Sequence, residues 1–190
     1  MTAEPVARDR RTEAGDDALA PDAFKRVFRG HPAGVVVVTL RDGHARVGFT
    51  ATSVISVSAD PPLLAFSLAA SSSSWPAVSR AETVALSFLA DHQDDVSARF
   101  ATSGIDRFAP GGWTDLATGE PVIDGSAAWV RGRIVQRTAV GGSHLIAVEA
   151  LTSSVRDERE TCDRSALAQV RPPLVYHDRT YHRIGEHSAI

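Results

Sequence analysis

Two hydroxyl-rich segments carry most of the side chains in this sequence that could bind a polar ligand. The first is Thr50-Ala51-Thr52-Ser53-Val54, and the second is the run Ser71-Ser72-Ser73-Ser74. Serine and threonine hydroxyls both donate and accept hydrogen bonds, at a length that suits the oxygens of a phosphate group. The chemistry that these residue types indicate is therefore the binding of a polar or anionic ligand.

The serine run lies between a predicted strand that ends near Leu68 and a predicted helix that starts at Trp75-Pro76. Proline favours the first turn of a helix, so the serines are expected at a helix N-terminus. Unpaired amides and the positive end of the helix dipole attract an anion there. The alternatives stay open on these residues alone: a polar loop that ends in a helix cap and, for Thr50–Ser53, the solvated face of an edge strand.

His144 is the histidine whose surroundings suggest a ligand. It follows Gly141-Gly142-Ser143, and two glycines allow a tight turn and leave room for a ligand beside the next strand. An exposed strand histidine is the alternative. The cluster His177, His182 and His187 contains no His-Glu-x-x-His pair, and the sequence contains no Gly-x-Ser-x-Gly elbow. Neither a metal site nor serine-hydrolase chemistry is predicted.

Composition places the chain among soluble globular proteins of one domain. Its 190 residues are 43% hydrophobic and 23% charged, and the formal net charge of -3 argues against nucleic acid as a partner. The one cysteine, Cys162, excludes an internal disulfide, which fits a cytoplasmic protein. Residues 1–20 contain no apolar run that would indicate a signal peptide or a membrane span, and we expect a disordered tail there.

Hydrophobic periodicity predicts a mainly β protein with a few short helices. Besides the helix that starts at Trp75, one helix is expected over Asp22–Phe28 and another over His92–Ala101 with Asp91 as its N-cap. About seven strands are expected. They are Val35–Leu40, Val47–Ser58, Leu63–Leu68, Thr83–Leu89, Ala127–Gln136, His144–Val155 and a short pair within Leu174–Ile184. Many strands with tight turns favour a closed antiparallel barrel, because closure removes exposed sheet edges.

The strand predicted over Val47–Ser58 alternates in character. Phe49, Ala51, Ser53, Ile55 and Val57 would share the face that packs on the core, and the other face would present hydroxyl groups.

Short stretches along the chain follow one another in a specific order: Pro32–Thr39, Gly48–Leu63, Ser97–Ala101, Asp106–Phe108, Gly119–Gly125, Gly142–His144 and Pro173–Tyr176. In this order they resemble the short-chain flavin reductase family, the reductase components of two-component flavin-dependent monooxygenases. The resemblance spans roughly Phe24 to Ile184. It implies a closed antiparallel Greek-key split β-barrel over residues 21–185, followed by a C-terminal tail over 186–190.

The resemblance also assigns roles to residues. Thr50, Ala51, Thr52, Ser53 and Val54 would line the flavin ring and its ribityl chain, with Leu68 close by. The serines Ser71, Ser72, Ser73 and Ser74 would bind the phosphate, Phe100 would pack near the flavin, and His144 would be the catalytic residue that faces the nicotinamide. The family usually has Gly-Asp-His where this chain has Ser143, and often Asn where it has Thr52.

The activity that the resemblance implies is hydride transfer from NADH or NADPH to free FAD or FMN. FAD is the first expectation, and the reduced flavin would pass to a separate monooxygenase. A homodimer is also implied. Two alternatives share the fold: a flavoenzyme that resembles pyridoxamine-phosphate oxidase, and a barrel that binds flavin without catalysis.

Overall fold

The computed structural model describes residues 18–155, 171–185 and 188. Cys162, His187 and most of both predicted tails lie outside these residues. The described helices are α1 Pro21–Arg29, α2 Trp75–Arg80 and α3 Asp94–Ala101. The strands are β1 Ala33–Gly34, β2 Val36–Asp42, β3 Ala45–Ala51, β4 Ile55–Ala59, β5 Pro62–Ala69, β6 Thr83–Phe88, β7 Trp113–Asp115, β8 Pro121–Ile123, β9 Ala128–Val140, β10 Ser143–Ser153, β11 Leu174–His177 and β12 Thr180–Arg183.

Most strands belong to one antiparallel sheet of seven, in the order β3-β2-β6-β9-β10-β5-β4. Two small antiparallel sheets accompany it, β1-β11-β12 and β7-β8. The prediction of a mainly β, antiparallel fold with few short helices is confirmed. In the described part of the chain, no helix is long and apolar enough to cross a membrane.

Strand β2 is covered on both of its faces, which explains its unbroken run of β-branched residues. Val36, Val38 and Leu40 point to one side and are at most 2% exposed. They belong to a cluster, called here the inner core, with side chains from β3, β5, β6, β9, β10 and α2. Val37, and Val35 just before the strand, point to the other side and belong to a second cluster, the outer core, with side chains from α3, β8 and β11.

The strand predicted over Val47–Ser58 is two strands in the structure. β3 ends at Ala51, and β4 begins at Ile55, so the chain changes direction over residues 52–54. Phe49 and Ala51 are buried as predicted, whereas Ile55 and Val57 are 58% and 54% exposed. The placement of Ile55 and Val57 on the core face was therefore wrong. The alternating pattern continues through residues 52–54, so it does not reveal that the chain turns there.

The helix predicted over His92–Ala101 is confirmed in position as α3, but its predicted cap was wrong. α3 begins at Asp94, and Gln93 rather than Asp91 is its N-cap residue. Gln93 Oε1 accepts a hydrogen bond from the amide of Ala90, 2.9 Å away, and this turn precedes the helix. The amide of Asp91 instead donates to the carbonyl of Pro172 at 2.8 Å, which attaches this loop to the segment before β11.

The hairpin β7–β8 was not predicted, because both of its strands have three residues. It is attached to the main sheet through Glu120, which is 3% exposed. Both carboxylate oxygens of Glu120 accept hydrogen bonds from Arg131 Nε at 3.0 Å, and Thr83 and Thr118 donate to the same group. Burial alone would raise the pKa of Glu120, but these hydrogen bonds lower it to about 2.

Candidate functional site

The serine run lies in the loop between β5 and α2, as predicted. α2 has six residues, and Ser74 at its N-cap makes no side-chain capping bond. Ser71 and Ser73 are exposed, Ser72 is half-buried and Ser74 is 2% exposed. The amide of Ala70 donates to the carbonyl of Gly142 at 2.9 Å. This bond attaches the serine loop to the turn that precedes His144.

Arg107 is the cation beside the serine run, and no role was predicted for it from the sequence. Its Nη1 donates to the carbonyl oxygen of Gly48 at 2.6 Å and to Ser74 Oγ at 3.4 Å, and its Nε donates to the carbonyl of Thr102 at 2.8 Å. These acceptors are neutral, so they leave the charge of the guanidinium uncompensated. Burial lowers the pKa of Arg107, but arginine titrates so far above neutral pH that the group remains a cation.

A cavity of about 240 Å³ opens beside Arg107, and we call it the serine–arginine cavity. Ser73 and Ser74 line it on one side, and Arg46 lines it on another. Arg46 is held by Asp115, whose Oδ2 lies 2.7 Å from its Nη2, and by the ring of Trp113, 3.9 Å from the guanidinium carbon. The hydrogen bond with Asp115 raises the pKa of Arg46. Hydroxyls and cations in one small cavity are the donor set that a phosphate group requires.

The hydroxyls of Thr50 and Ser53 are used within the protein. Thr50 Oγ1 donates to the carbonyl of Ser97 on α3 at 2.7 Å, so this face of β3 is covered by a helix rather than open to a ligand. Ser53 Oγ accepts from the amide of Ser67 at 2.9 Å and donates to its carbonyl at 3.2 Å. Thr52 is exposed, and Val54 is half-buried. Of the hydroxyl groups predicted to face a ligand on this segment, mainly that of Thr52 therefore remains available.

Three other predicted cofactor-binding residues belong to the cores. Ala51 and Leu68 are 6% and 8% exposed in the inner core, and Phe100 is 0% exposed in the outer core. Phe100 packs under Gly48, where an added Cβ would lie 2.7 Å from Phe100 Cε1. The close packing of Gly48 places the carbonyl that Arg107 binds. Phe100 packs edge-to-face on Phe108, which lines the serine–arginine cavity, but Phe100 itself does not line it.

His144 lies opposite Leu68 in the β10–β5 ladder, at the start of β10. Its side chain shares a face with the buried residues Ile146 and Val148, so it points toward the open end of the inner core. The ring of Trp75 stacks on the ring of His144, with centroids 3.5 Å apart and planes 11° from parallel. The expectation of a simple exposed strand histidine does not hold, because His144 is half-buried.

A second cavity, of about 840 Å³, lies at the turn between β3 and β4. Residues 52–55 form one wall, α1 forms another, and the β11–β12 hairpin forms a third. Phe24, Phe28 and Tyr176 supply aromatic surface, and Lys25 and Arg179 supply positive charge. Residues 46–48 of β3 line the serine–arginine cavity, and residues 52–55 after β3 line the larger cavity.

These surroundings fit a phosphorylated flavin better than a metal ion. The serine–arginine cavity matches a phosphate in donors, and the larger cavity offers apolar walls to a planar ring system. Across residues 18–155, 171–185 and 188, no three His, Cys, Asp or Glu side chains are grouped as metal ligands.

Comparison with known proteins is consistent with these features. Residues 28–185 match the family model described as flavin reductase like domain. The NADH:FMN oxidoreductase of Rhodococcus erythropolis is 43% identical over 161 residues, which are 84% of this chain and 80% of that protein. The reductase subunit of a flavin-dependent monooxygenase from Rhodococcus jostii is 32% identical over 145 residues, 75% of this chain and 74% of that protein.

Solved structures agree with the sequence matches. The crystal structure of a flavin reductase domain protein from an Arthrobacter species superposes with a TM-score of 0.75 at 31% identity, over 86% of this chain and 95% of that one. The family model covers most of the chain, and the first relative shares more than two fifths of the aligned residues. The chain therefore belongs to the flavin reductase like domain family.

Proposed function

We propose that the protein is an NAD(P)H:flavin oxidoreductase that supplies reduced flavin to a separate flavin-dependent monooxygenase. The observation that carries the proposal is the hydrogen bond from Arg107 Nη1 to Ser74 Oγ, together with the stacking of the next residue in the chain, Trp75, on His144. A group that suits a phosphate and a group that suits a nicotinamide thus lie at one end of β5. The Rhodococcus relatives, an NADH:FMN oxidoreductase and a monooxygenase reductase subunit, support this activity.

The protein's contribution to this reaction is positioning. When bound, a flavin would supply the acceptor for a hydride, one proton with two electrons, from C4 of the reduced nicotinamide, and no protein nucleophile would be needed. Arg107, Arg46, Ser73 and Ser74 would hold the phosphate. Residues 52–54 would contact the ring system, and His144 would orient the nicotinamide.

NADH is the proposed hydride donor, and FMN or FAD is the proposed acceptor. The name of the Rhodococcus relative supports FMN, whereas the resemblance to monooxygenase reductases led us to expect FAD first. The phosphate donors contact a group that FMN and FAD share. The site therefore predicts discrimination against riboflavin, which lacks that group, more strongly than discrimination between the two nucleotides.

We further propose that the main sheet closes into a split barrel. β3 and β4 stand at opposite ends of the strand order, yet only residues 52–54 separate them in the chain. Ser53 links this segment to β5, the neighbour of β4, because its hydroxyl bonds both backbone groups of Ser67. The Ser53 hydroxyl thus links the end of β3 to β5 by hydrogen bonds, in place of backbone pairing between the two strands.

A homodimer is proposed on the apolar face of α1. Phe24, Val27 and Phe28 are 51%, 65% and 57% exposed, and Leu19 just before the helix is 61% exposed. A contiguous apolar surface of this kind is typical of an interface. Sedimentation of the full chain tests it: wild type should sediment as a dimer and Phe24→Glu with Phe28→Glu as a monomer, while Val155→Glu, at an exposed residue far along the chain, should not change the mass. A monomeric wild type would exclude the dimer.

The activity is tested by mixing the protein with NADH or NADPH and with FMN, FAD or riboflavin in turn, and by following the loss of reduced-nicotinamide absorbance. Catalytic NADH consumption that depends on added flavin is the expected result. Flavin binding without NADH consumption would exclude the reductase and favour a binding barrel. Flavin-dependent oxidation of pyridoxamine phosphate instead would favour the oxidase-like alternative.

A further inference from the structure

Among the described residues, the stacked pair Trp75 and His144 contains one buried polar atom with no partner. Nδ1 of His144 is buried and makes no hydrogen bond to any described residue. The residue as a whole is half-buried, so Nε2 is the ring nitrogen on the accessible side. The two nitrogens therefore have different surroundings, one enclosed and one open.

A neutral imidazole carries one N–H and one bare lone pair, and the surroundings decide which nitrogen carries the proton. A buried N–H without an acceptor is rarer in proteins than a buried acceptor without a donor, because the unpaired donor is the costlier of the two. Placing the proton on Nε2 leaves the bare lone pair in the enclosed position. It also lets the N–H meet solvent or a ligand.

Trp75 holds the ring in this orientation. Its indole lies against the imidazole at 3.5 Å and 11°, a contact over the whole ring face. Trp75 is itself anchored, because its amide donates to the carbonyl of Ser72 at 3.0 Å and its side chain packs on the inner core. Rotation of the imidazole out of this plane would break the stack. The position of Trp75 thus fixes the plane of the ring, in which Nδ1 is the enclosed nitrogen.

We propose that Trp75 is a positioning residue that holds His144 in the tautomer with its proton on Nε2, so that His144 presents a single hydrogen-bond donor to the ligand. Such a donor recognises a carbonyl oxygen, and the carboxamide oxygen of a nicotinamide has this chemistry. The ring then orients the hydride donor without giving up a proton. The inference rests on the role proposed above for His144.

The tautomer can be observed directly. The full-length protein is labelled with ¹⁵N-histidine, and the ring nitrogens of His144 are identified by the signals that His144→Gln removes. Wild type should show a protonated Nε2 and a bare Nδ1, before any ligand is added. A protonated Nδ1 in wild type would overturn the proposal, whatever the activity of the enzyme.

Three variants separate positioning from general packing. Trp75→Phe keeps a ring over His144, Trp75→Leu removes it, and Trp129→Leu removes another half-buried tryptophan that lines neither cavity. Trp75→Leu should give a mixture of tautomers and raise the KM for NADH about fivefold or more, with kcat changed less than about twofold. Trp75→Phe and Trp129→Leu should retain the wild-type tautomer and KM.

Two results in folded Trp75→Leu would overturn the proposal: an unchanged tautomer, or an unchanged KM. Equal effects of Trp75→Leu and Trp129→Leu would also overturn it, because they would indicate general packing. If Trp75→Leu does not fold, the wild-type spectrum and the Trp75→Phe kinetics still decide. A wild type that never oxidises NADH would remove the proposed function, while the tautomer result would stand by itself.

Discussion

The indole of Trp75 lies parallel to the imidazole of His144, and this pair joins the serine loop to the first residues of β10. The carbonyl of Gly142, just before β10, accepts a hydrogen bond from Ala70, just before the serine run. The loop proposed to bind phosphate and the histidine proposed to meet the nicotinamide are thus fixed to each other by one stack and one backbone bond.

His144→Ala is expected to lower kcat/KM for NADH by about 10- to 100-fold, because a lost orienting hydrogen bond costs that order of rate. The affinity for FMN should change less than about twofold, since the phosphate donors are untouched. Steady-state kinetics and fluorescence titration measure the two effects. His44→Ala, at the exposed turn between β2 and β3, is the control. Unchanged NADH kinetics in His144→Ala would remove the proposed role.

Arg107→Met is expected to weaken FMN binding by about 10- to 100-fold, as for the loss of a hydrogen bond to a charged group. Riboflavin binding should stay within about twofold of wild type, because riboflavin has no phosphate. The control is Arg80→Met, since Arg80 pairs with Asp42 on the surface at 2.6 Å. Isothermal titration with both flavins gives the comparison. Equal losses for FMN and riboflavin would indicate that Arg107 only supports the loop.

Ser53→Ala is expected to lower the free energy of unfolding by about 0.5–1.5 kcal/mol, because it removes two hydrogen bonds to the backbone of Ser67, which solvent can reach. Ser56→Ala, on the exposed part of β4, should change it by less than about 0.5 kcal/mol. Urea unfolding followed by circular dichroism measures both variants. A Ser53→Ala protein as stable as wild type would show that water replaces the hydroxyl at no cost.

Glu120 gives the fold a defined acid sensitivity. Its pKa of about 2 lies below the value of about 4.3 for an unfolded glutamate, so the folded state is stabilised while the group is ionised. This contribution of about 3 kcal/mol is complete above about pH 5 and is lost as the pH falls from 5 to 2.

Glu120→Gln is expected to remove that contribution and to leave Arg131 without its carboxylate, at a cost of about 3–5 kcal/mol at neutral pH. The free energy of unfolding of the variant should then fall less steeply than that of wild type between pH 5 and 2. Denaturant titrations at a series of pH values supply the two curves. Parallel curves would assign the acid sensitivity to other carboxylates.

The sequence predicted those elements whose pattern is set by local burial. The run Val35–Leu40 indicates a strand because both of its faces are covered, and α3 shows its inner residues Val96 and Phe100 at helical spacing. The exposure of Ile55 and Val57 could not be predicted from the sequence, because an apolar residue at an alternating position is compatible with a buried face and with an exposed apolar face. Tertiary contacts decide that point.

The sequence predicted the segments of the candidate site but not how the fold brings them together. The serine run and His144 come together because β5 and β10 are paired, and this pairing is not visible in the spacing of either segment. Thr50 and Ser53 were predicted to face a ligand, but their hydroxyls bond backbone groups of α3 and β5. Arg107 lies in a short stretch that the resemblance included, Asp106–Phe108, yet only the fold places it 3.4 Å from Ser74 Oγ.

Gly48 links the serine–arginine cavity to the stability of the outer core. Its carbonyl binds Arg107, and its Cα leaves no room for a side chain against Phe100 of α3. A ligand that binds Arg107 therefore stabilises the conformation that the outer core requires. By mass action, its binding free energy adds to the free energy of unfolding of this part of the protein. Loading the cavity should slow amide hydrogen exchange in α3, a helix with no proposed ligand contact of its own. The substrate would then protect the enzyme from heat as well as being turned over by it.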